Sequence, residues 1–411
     1  MSTPAEPRYW NRGLADLTHG AVLSPFTRLR RLVADVEPGM SPIDMTIGEP
    51  REEMPPFVVD KIREAQDTFA KYPAIRGTDE LRQAIAGWLE RRFNLPGRID
   101  YAREVHPTNG SREGLFYAVL PAMGRRRTAE RPAILMPNPY YGAYVGSANA
   151  VDAEPVFLDA TPETGHLPDL DALEQDEALL QRTAAFYLCN PANPQGAVAT
   201  RDYLSRALAM ARRHDFILLA DECYSEIYTR EPPVGALEVA AATPERFRNL
   251  IVLNSLSKRS NLPGLRSGFC AGDGDFLEAL AEIRNLIGQQ MPGPVQHASA
   301  AVWSDEAHVE TIRDAYRKKF DVCDELLGGR FGYSRPAGGF FLWLDVSQLG
   351  GSIEAAVTLW KRCGVRVLPG AYLVQAGRNG TSAGDPYIRV ALVHSPAVVR
   401  EALERIVSVA A

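Results

Sequence analysis

The order of apolar runs predicts an α/β fold, with a mainly parallel central sheet covered by helices on both faces and a smaller α+β domain. Three observations carry this. Strand-like runs alternate with helical stretches from about residue 104 to residue 290, the pattern of βα units. At 411 residues the chain is too long for one simple core and implies two domains. Beyond residue 296 the alternation gives way to a helix-rich part and then a few short strands. The expected division is an arm over 1–50 that joins the small domain, a large domain over 51–295 and a small C-terminal domain over 296–411.

The composition, 45% hydrophobic and 23% charged, is that of an ordinary soluble globular protein. A net charge of −6 and a pI near 5.8 give no general attraction to nucleic acid or an anionic membrane. The local cluster Arg125-Arg126-Arg127 reads as a solvated turn. Cys189, Cys223, Cys270, Cys323 and Cys363 are widely spaced with no C-x-x-C, which points to neither a disulfide framework nor a zinc cage. The histidines show no metal-binding spacing, so no metal is expected. No apolar leader or membrane-length run is present, and a cytoplasmic location is expected.

In chain order, Pro25 to Val36 is an amphipathic stretch, and the arm closes on Thr46-Ile47-Gly48-Glu49-Pro50. Gly48 lets backbone approach a ligand closely, or simply turns the chain before Pro50. Helical spacing comes next in two segments from Pro56 to Phe93, broken at Lys71-Tyr72-Pro73; the second has Leu81, Ile85, Trp88 and Leu89 on one face. The expected strands are Glu104–Pro107, Ala133–Met136, Ala184–Cys189, Phe216–Ala220, Leu250–Leu253 and Ser267–Ala271. The helices between them are Ser111–Met123, Arg201–His214 and Phe276–Ile287. Phe340–Val346, Val365–Leu368 and Tyr387–Val393 are strands of the smaller unit, closed by a helix from Pro396 to Val409. The polar, glycine-rich stretch from Gln375 to Asp385 reads as a loop or lid edge.

In open parallel sheets ligands bind beyond the carboxyl ends of the strands, so the residues just past each apolar run are informative. After the first run come Thr108-Asn109-Gly110-Ser111-Arg112, where amides at a helix start and the Ser111 hydroxyl can hold a phosphate dianion. After the second, Tyr140 or Tyr141 can present a flat face to a planar ring. Asn190-Pro191-Ala192-Asn193-Pro194-Gln195-Gly196 is a rigid loop with room for a cis bond and an amide donor for a phenolate oxygen. Asp221, ending an apolar run, needs a cationic or hydrogen-bonding partner; a protonated pyridine nitrogen would serve, and so would a helix N-terminus. After Leu253 come Ser255, Ser257 and Lys258, with Arg266 eight residues beyond the lysine. A lysine placed after a buried strand is costly to desolvate unless it has a task such as imine formation. A phosphate cradle, a stacking ring, a phenolate partner, a pyridinium partner and an amine together form the set that pyridoxal 5′-phosphate requires.

At these residues the sequence resembles the fold-type I pyridoxal-phosphate enzymes, within the class I/II aminotransferases, from I-G-E-P to I-R-V-A-L. The resemblance implies that Lys258 joins the cofactor as an imine and serves as acid and base, and that Asp221 keeps the pyridine nitrogen protonated. It further implies that Tyr224 and Asn193 bond the phenolic oxygen and that Tyr141 stacks on the ring. Phosphate contacts would be the Ser111 and Arg112 amides, Ser255, Ser257 and Arg266. Tyr72 would reach the phosphate across the interface of a homodimer with shared active sites. Gly48, Asn193 and Arg389 would meet the substrate, Arg389 through the α-carboxylate; period-two alternation sets it opposite Ile388, Val390 and Leu392.

The run S-L-S-K-R-S-N-L-P-G-L-R-S-G-F, with M-P-G-P-V-Q-H-A-S-A-A-V-W-S-D-E-A-H-V, is similar to the bacterial N-succinyldiaminopimelate aminotransferases. Gln195, where threonine is usual, and Gly338-Gly339-Phe340-Phe341 depart from that pattern. The expected reaction moves the amino group of N-succinyl-LL-2,6-diaminopimelate to 2-oxoglutarate. Aspartate, alanine or aromatic aminotransferase activity, a C–S lyase and a non-catalytic effector-sensing domain are the alternatives. Arg28, Arg30, Arg259 and Arg378 are candidates for the donor's distal carboxylates.

Overall fold

A computed structural model describes residues 23–95, 99–125, 130–375 and 382–410. Arg126, Arg127, Arg378, most of the 375–385 loop and the first 22 residues of the arm lie outside the described residues. Twelve strands are present among those described: β1 (Ile43–Asp44), β2 (Val105–Thr108), β3 (Ala133–Asn138), β4 (Glu154–Asp159), β5 (Thr183–Cys189), β6 (Ile217–Asp221), β7 (Leu250–Ser255), β8 (Gly268–Gly272), β9 (Phe341–Asp345), β10 (Val365–Arg366), β11 (Leu368–Pro369) and β12 (Tyr387–Ala391).

Seven of them form one sheet in the order β2-β8-β7-β6-β5-β3-β4. The β3–β4, β3–β5, β5–β6 and β6–β7 pairs are parallel, while β8 runs antiparallel to both its neighbours. The carboxyl ends of β2, β3, β5, β6 and β7 therefore meet along one edge. Side chains alternate between two cores, as a sheet buried on both faces requires. Leu135, Phe186, Leu188, Leu218, Ala220 and Val252 face one core, and Ile134, Met136, Tyr187, Leu219, Ile251 and Leu253 the other. The first core is closed by helices Asp79–Phe93, Arg201–Arg213 and Gly293–Ser304, the second by Ser111–Arg125, Gly142–Ala150 and Gly274–Ile287.

One strand of this sheet and one helix packed on it escape the periodicity reading. β4 has the sequence EPVFLD, is only half-buried and lies at the edge, where its proline is tolerated. Helix Gly142–Ala150 is glycine-, alanine- and serine-rich and carries no apolar period. Arg125 closes helix Ser111–Arg125 and pairs with Asp215 at 3.0 Å, so it is not in a turn.

A second sheet, β11-β12-β9, is antiparallel, and β1 of the arm pairs in parallel with β10 beside it. Met45, Leu342, Leu344, Ile388, Val390, Leu403 and Ile406 share its core with helices Ala307–Leu327, Ser352–Cys363 and Pro396–Ala410. The arm helix Pro25–Leu32 packs Leu29, with Val33 after it, on Trp360, Leu368, Tyr372 and Leu373.

Candidate active site

Lys258 stands one turn beyond the strand. β7 continues to Ser255, whose hydroxyl accepts from the Ser257 amide at 3.3 Å and caps the short helix Leu256–Arg259 that carries the lysine. The Lys258 Nζ donates to the Gly48 carbonyl and lies 5.5 Å from the centre of the Phe340 ring. Burial in this apolar setting is the main cause that lowers its pKa to about 8. A neutral amine is therefore available near neutral pH. Gly48 is required for packing: a Cβ there would lie 2.5 Å from Phe341 Cζ.

The neighbouring Arg259 points the other way. Its side chain is fully buried, donates to the Val302 and Asp305 carbonyls and pairs with Glu306 at 2.8 Å. The guanidinium lies 5.6 Å from Trp88 and 5.0 Å from Trp303. Arg259 is thus occupied in holding helix Leu256–Arg259 to the core and is no longer a candidate for a substrate carboxylate.

Asp221, at the end of β6, is buried, with its Oδ2 accepting from the Tyr144 hydroxyl at 2.8 Å and its Oδ1 from the Cys223 amide at 3.3 Å. Burial raises its pKa against those hydrogen bonds, so a cation beside it is the partner that the carboxylate lacks. Tyr144 in turn stacks on Tyr187 at 4.4 Å, and Tyr187 donates to the Leu115 carbonyl at 2.6 Å. The sequence reading missed Tyr144, three residues past Tyr141; its helix has no apolar period to flag it.

At the edge of the sheet, Gly110 has a φ of 83° and Ser111 begins a 15-residue helix, leaving its first amides free for an anion. Arg266 lies against Gly110, since a Cβ on that glycine would stand 2.5 Å from Arg266 Nη2. Its guanidinium donates to the Pro263 and Asn109 carbonyls at 2.8 and 3.2 Å. Ser255 is the register partner of Gly268, and a Cβ on Gly268 would lie 2.9 Å from the Ser111 amide nitrogen. Ser111, Ser255 and Arg266 therefore gather at one point, with Ser257 a residue from Lys258. Two amides, hydroxyls and a guanidinium suit a phosphate dianion.

Tyr141 receives a hydrogen bond from Arg112 Nε at 2.8 Å and packs edge-on against Tyr144, which leaves its ring beside Asp221's partner. Tyr224 is buried against Phe340 and Phe341, its hydroxyl making no hydrogen bond among the described residues, and burial holds its pKa well above the usual phenol range. Asn190–Pro191 and Asn193–Pro194 are both cis, as is Asn138–Pro139. Asn193 accepts from Arg389 Nη1 at 3.3 Å, and Arg389 Nη2 donates to the Thr46 carbonyl at 2.8 Å. The Arg389 guanidinium is buried over the Phe341 ring at 4.4 Å, and burial lowers its pKa to about 10, leaving it charged at neutral pH. Its Nε has no partner among the described residues. Phe340 and Phe341, read from the sequence as the start of a strand and a departure from pattern, line the space between Lys258, Tyr224 and Arg389. Tyr72 is the exception to this gathering: it is 97% exposed and touches none of these groups within its own chain.

An aldehyde cofactor with a phosphate, a basic ring nitrogen and a phenolic oxygen matches this donor set. The comparisons agree. The family model for aminotransferase class I and II matches residues 41–406. An LL-diaminopimelate aminotransferase of Syntrophobacter fumaroxidans is 29% identical over 388 residues, 92% of this chain and 94% of the relative. The 4-dedimethylamino-4-oxo-anhydrotetracycline transaminase OxyQ of Streptomyces rimosus is 31% identical over 365 residues, covering 89% and 92%. The crystal structure of an aminotransferase from Neisseria meningitidis has a TM-score of 0.88 at 36% identity, over 94% of this chain and 97% of that one. That of the aminotransferase AspB from Helicobacter pylori has a TM-score of 0.85 at 33% identity, over 94% and 98%. Fold and site thus define a pyridoxal-phosphate enzyme of fold type I. The chain belongs to the class I and II aminotransferases, whose members use pyridoxal phosphate.

Proposed function

We propose that the chain transfers the amino group of N-succinyl-LL-2,6-diaminopimelate to 2-oxoglutarate. Transamination itself is supported by one convergence: the Lys258 amine, the buried Asp221 carboxylate and the buried Arg389 guanidinium arrive from three elements at one set of strand ends. The choice of donor rests on the Lys258–Arg266 segment and its likeness to N-succinyldiaminopimelate aminotransferases. Free LL-diaminopimelate is the second reading, favoured by the names of several relatives.

When bound, the cofactor supplies an aldehyde carbon for the donor nitrogen and a ring that draws electrons from it. Arg389 grips the α-carboxylate as a bidentate pair, with Asn193 fixing the guanidinium. Asp221, steadied by Tyr144, keeps a proton on the ring nitrogen. Tyr224 and Asn193 would hold the cofactor's phenolic oxygen, and Tyr141 would stack on its ring. The Lys258 amine takes the donor's α-proton on Nζ and gives it up again in the same turnover. Ser111 and Arg112 through their amides, with Ser255, Ser257 and Arg266, hold the phosphate, and Gly48 sets the wall beside the lysine. The working form is a cytoplasmic homodimer in which Tyr72 of the partner subunit completes the phosphate site. The division at residue 50 separates the arm from the cofactor domain. The expected division at 295 falls inside helix Gly293–Ser304, whose Ala298, Val302 and Trp303 pack in the large-sheet core, so the domain that carries Arg389 begins beyond that helix.

A donor panel tests this. N-succinyl-LL-diaminopimelate should bleach the yellow band of the cofactor-loaded protein, and 2-oxoglutarate should restore it with formation of glutamate. Faster bleaching by free LL-diaminopimelate would transfer the assignment to that donor, and bleaching by no amino acid would end the transaminase reading. Pyruvate release from a cysteine conjugate without an acceptor would favour a lyase.

A further inference from the structure

The geometry points to Arg28 as the residue that takes the distal carboxylate of a dicarboxylic amino donor. The inference rests on the proposed function and names the part of the donor left without a partner there. In the small sheet Leu368 is the register partner of Arg389, and Arg389 of Trp343. Paired residues of antiparallel strands share a face, and their neighbours Leu342, Leu344, Ile388 and Val390 fill the core on the other side. Arg389, Leu368 and Trp343 therefore project together. Helix Pro25–Leu32 packs on that face, its Leu29 in one cluster with Leu368, Tyr372 and Leu373, and with Trp343 against it. The arm helix and the α-carboxylate clamp thus lie on the same side of the same sheet.

Arg28 lies on this helix with its guanidinium 3.8 Å above the Tyr372 ring. Its side chain makes no hydrogen bond and no ion pair among the described residues, while its amide donates to the Ser24 carbonyl. Of the other arginines, Arg30 donates to Thr27, Arg366 donates to Asp44, Arg259 is buried in the core, and Arg31 stands exposed on the helix. The turn beneath Arg28 leads to Tyr141, which would stack on the cofactor's ring, because the Leu373 carbonyl accepts from the Tyr140 amide at 2.9 Å. Arg28 is therefore linked through its helix to the Arg389 face and through Tyr372-Leu373 to the ring-stacking tyrosine. Stacking holds the guanidinium plane while leaving its in-plane N–H groups for a carboxylate. A half-buried, pre-oriented guanidinium without an acid is a site prepared for an anion carried by the ligand.

The test is Arg28→Gln in the cofactor-loaded protein, read on pairs of ligands. Binding of glutarate and of valerate, monitored by the absorbance of the bound cofactor, needs no turnover. Glutarate affinity should weaken about tenfold or more, the usual effect of losing a charge-assisted hydrogen bond, and valerate affinity should change less than about twofold. Arg28→Lys should recover part of the loss. In turnover, the KM of dicarboxylic donors should rise at nearly constant kcat, while alanine is unaffected. An equal loss for both ligands, or no loss for glutarate, would overturn the assignment. If wild-type protein ignores N-succinyl-LL-diaminopimelate but Arg28→Gln still separates glutarate from valerate, the proposed donor fails and the role of Arg28 stands.

Discussion

At the scale of the residue, Asp221 is held by one phenol hydroxyl and one amide, and the phenol comes from a helix without an apolar period. Tyr144→Phe removes about 1 kcal/mol of hydrogen bonding from the carboxylate, so cofactor affinity should fall by about fivefold, measured by titration of the apoprotein with pyridoxal phosphate. Lys258 gives a prediction in pH. In the folded chain its amine loses its proton near pH 8, against an ordinary value of 10.5. Between those values the unfolded chain binds more protons, so this lysine makes stability rise with pH through that window. In melting temperatures of cofactor-free wild type and Lys258→Met, compared from pH 7 to 10.5, the wild type should gain on the variant as pH rises through the window, because the other buried groups titrate alike in both.

At the scale of the element, Gly48 and helix Leu256–Arg259 set the walls of the site. Gly48→Ala forces Cβ into Phe341, the ring beneath Arg389. It should cost about 1–3 kcal/mol in urea unfolding and raise the KM of every donor. Arg259→Ala should cost about 3 kcal/mol in the same experiment, since it strips the core of a buried guanidinium that binds two carbonyls and Glu306. Legibility followed the physics of each element. β5, β6 and β7 are uninterrupted apolar runs that end abruptly in polar residues, so both the strands and the groups at their ends could be read directly. β4 and helix Gly142–Ala150 could not, because an edge position and small side chains erase the period. Arg389 on Phe341, Lys258 on Gly48 and Tyr144 on Asp221 are contacts between distant segments, and no local pattern encodes them. The outward role first open to Arg259 failed for a related reason: the indoles that enclose it lie far away in sequence.

At the scale of the whole molecule, the residues proposed for the site lie together among the described residues of one chain except for Tyr72, almost fully exposed and close in sequence to the exposed Phe69. If Tyr72 serves a second subunit, hybrid dimers will show it. A Tyr72→Phe chain keeps its lysine, and a Lys258→Ala chain keeps its tyrosine, so mixing the two should create one intact site per hybrid. Activity above that of either parent, measured after co-refolding, is the expected outcome; activity no greater than the parents' sum would place Tyr72 outside the site. Tyr72→Phe alone should weaken pyridoxal phosphate binding by about tenfold, the loss of one charge-assisted contact.

The clamp on Arg259 has a consequence for the residue before it. With the guanidinium held by the Val302 and Asp305 carbonyls and Glu306 and packed beside Trp88 and Trp303, the backbone at position 258 is a fixed post. Whatever distance the Lys258 nitrogen travels during a cycle must come from rotation about its own side-chain bonds. The lysine is a crane on a bolted base: its reach is set by four methylenes, and its starting point by a neighbour that never touches the load.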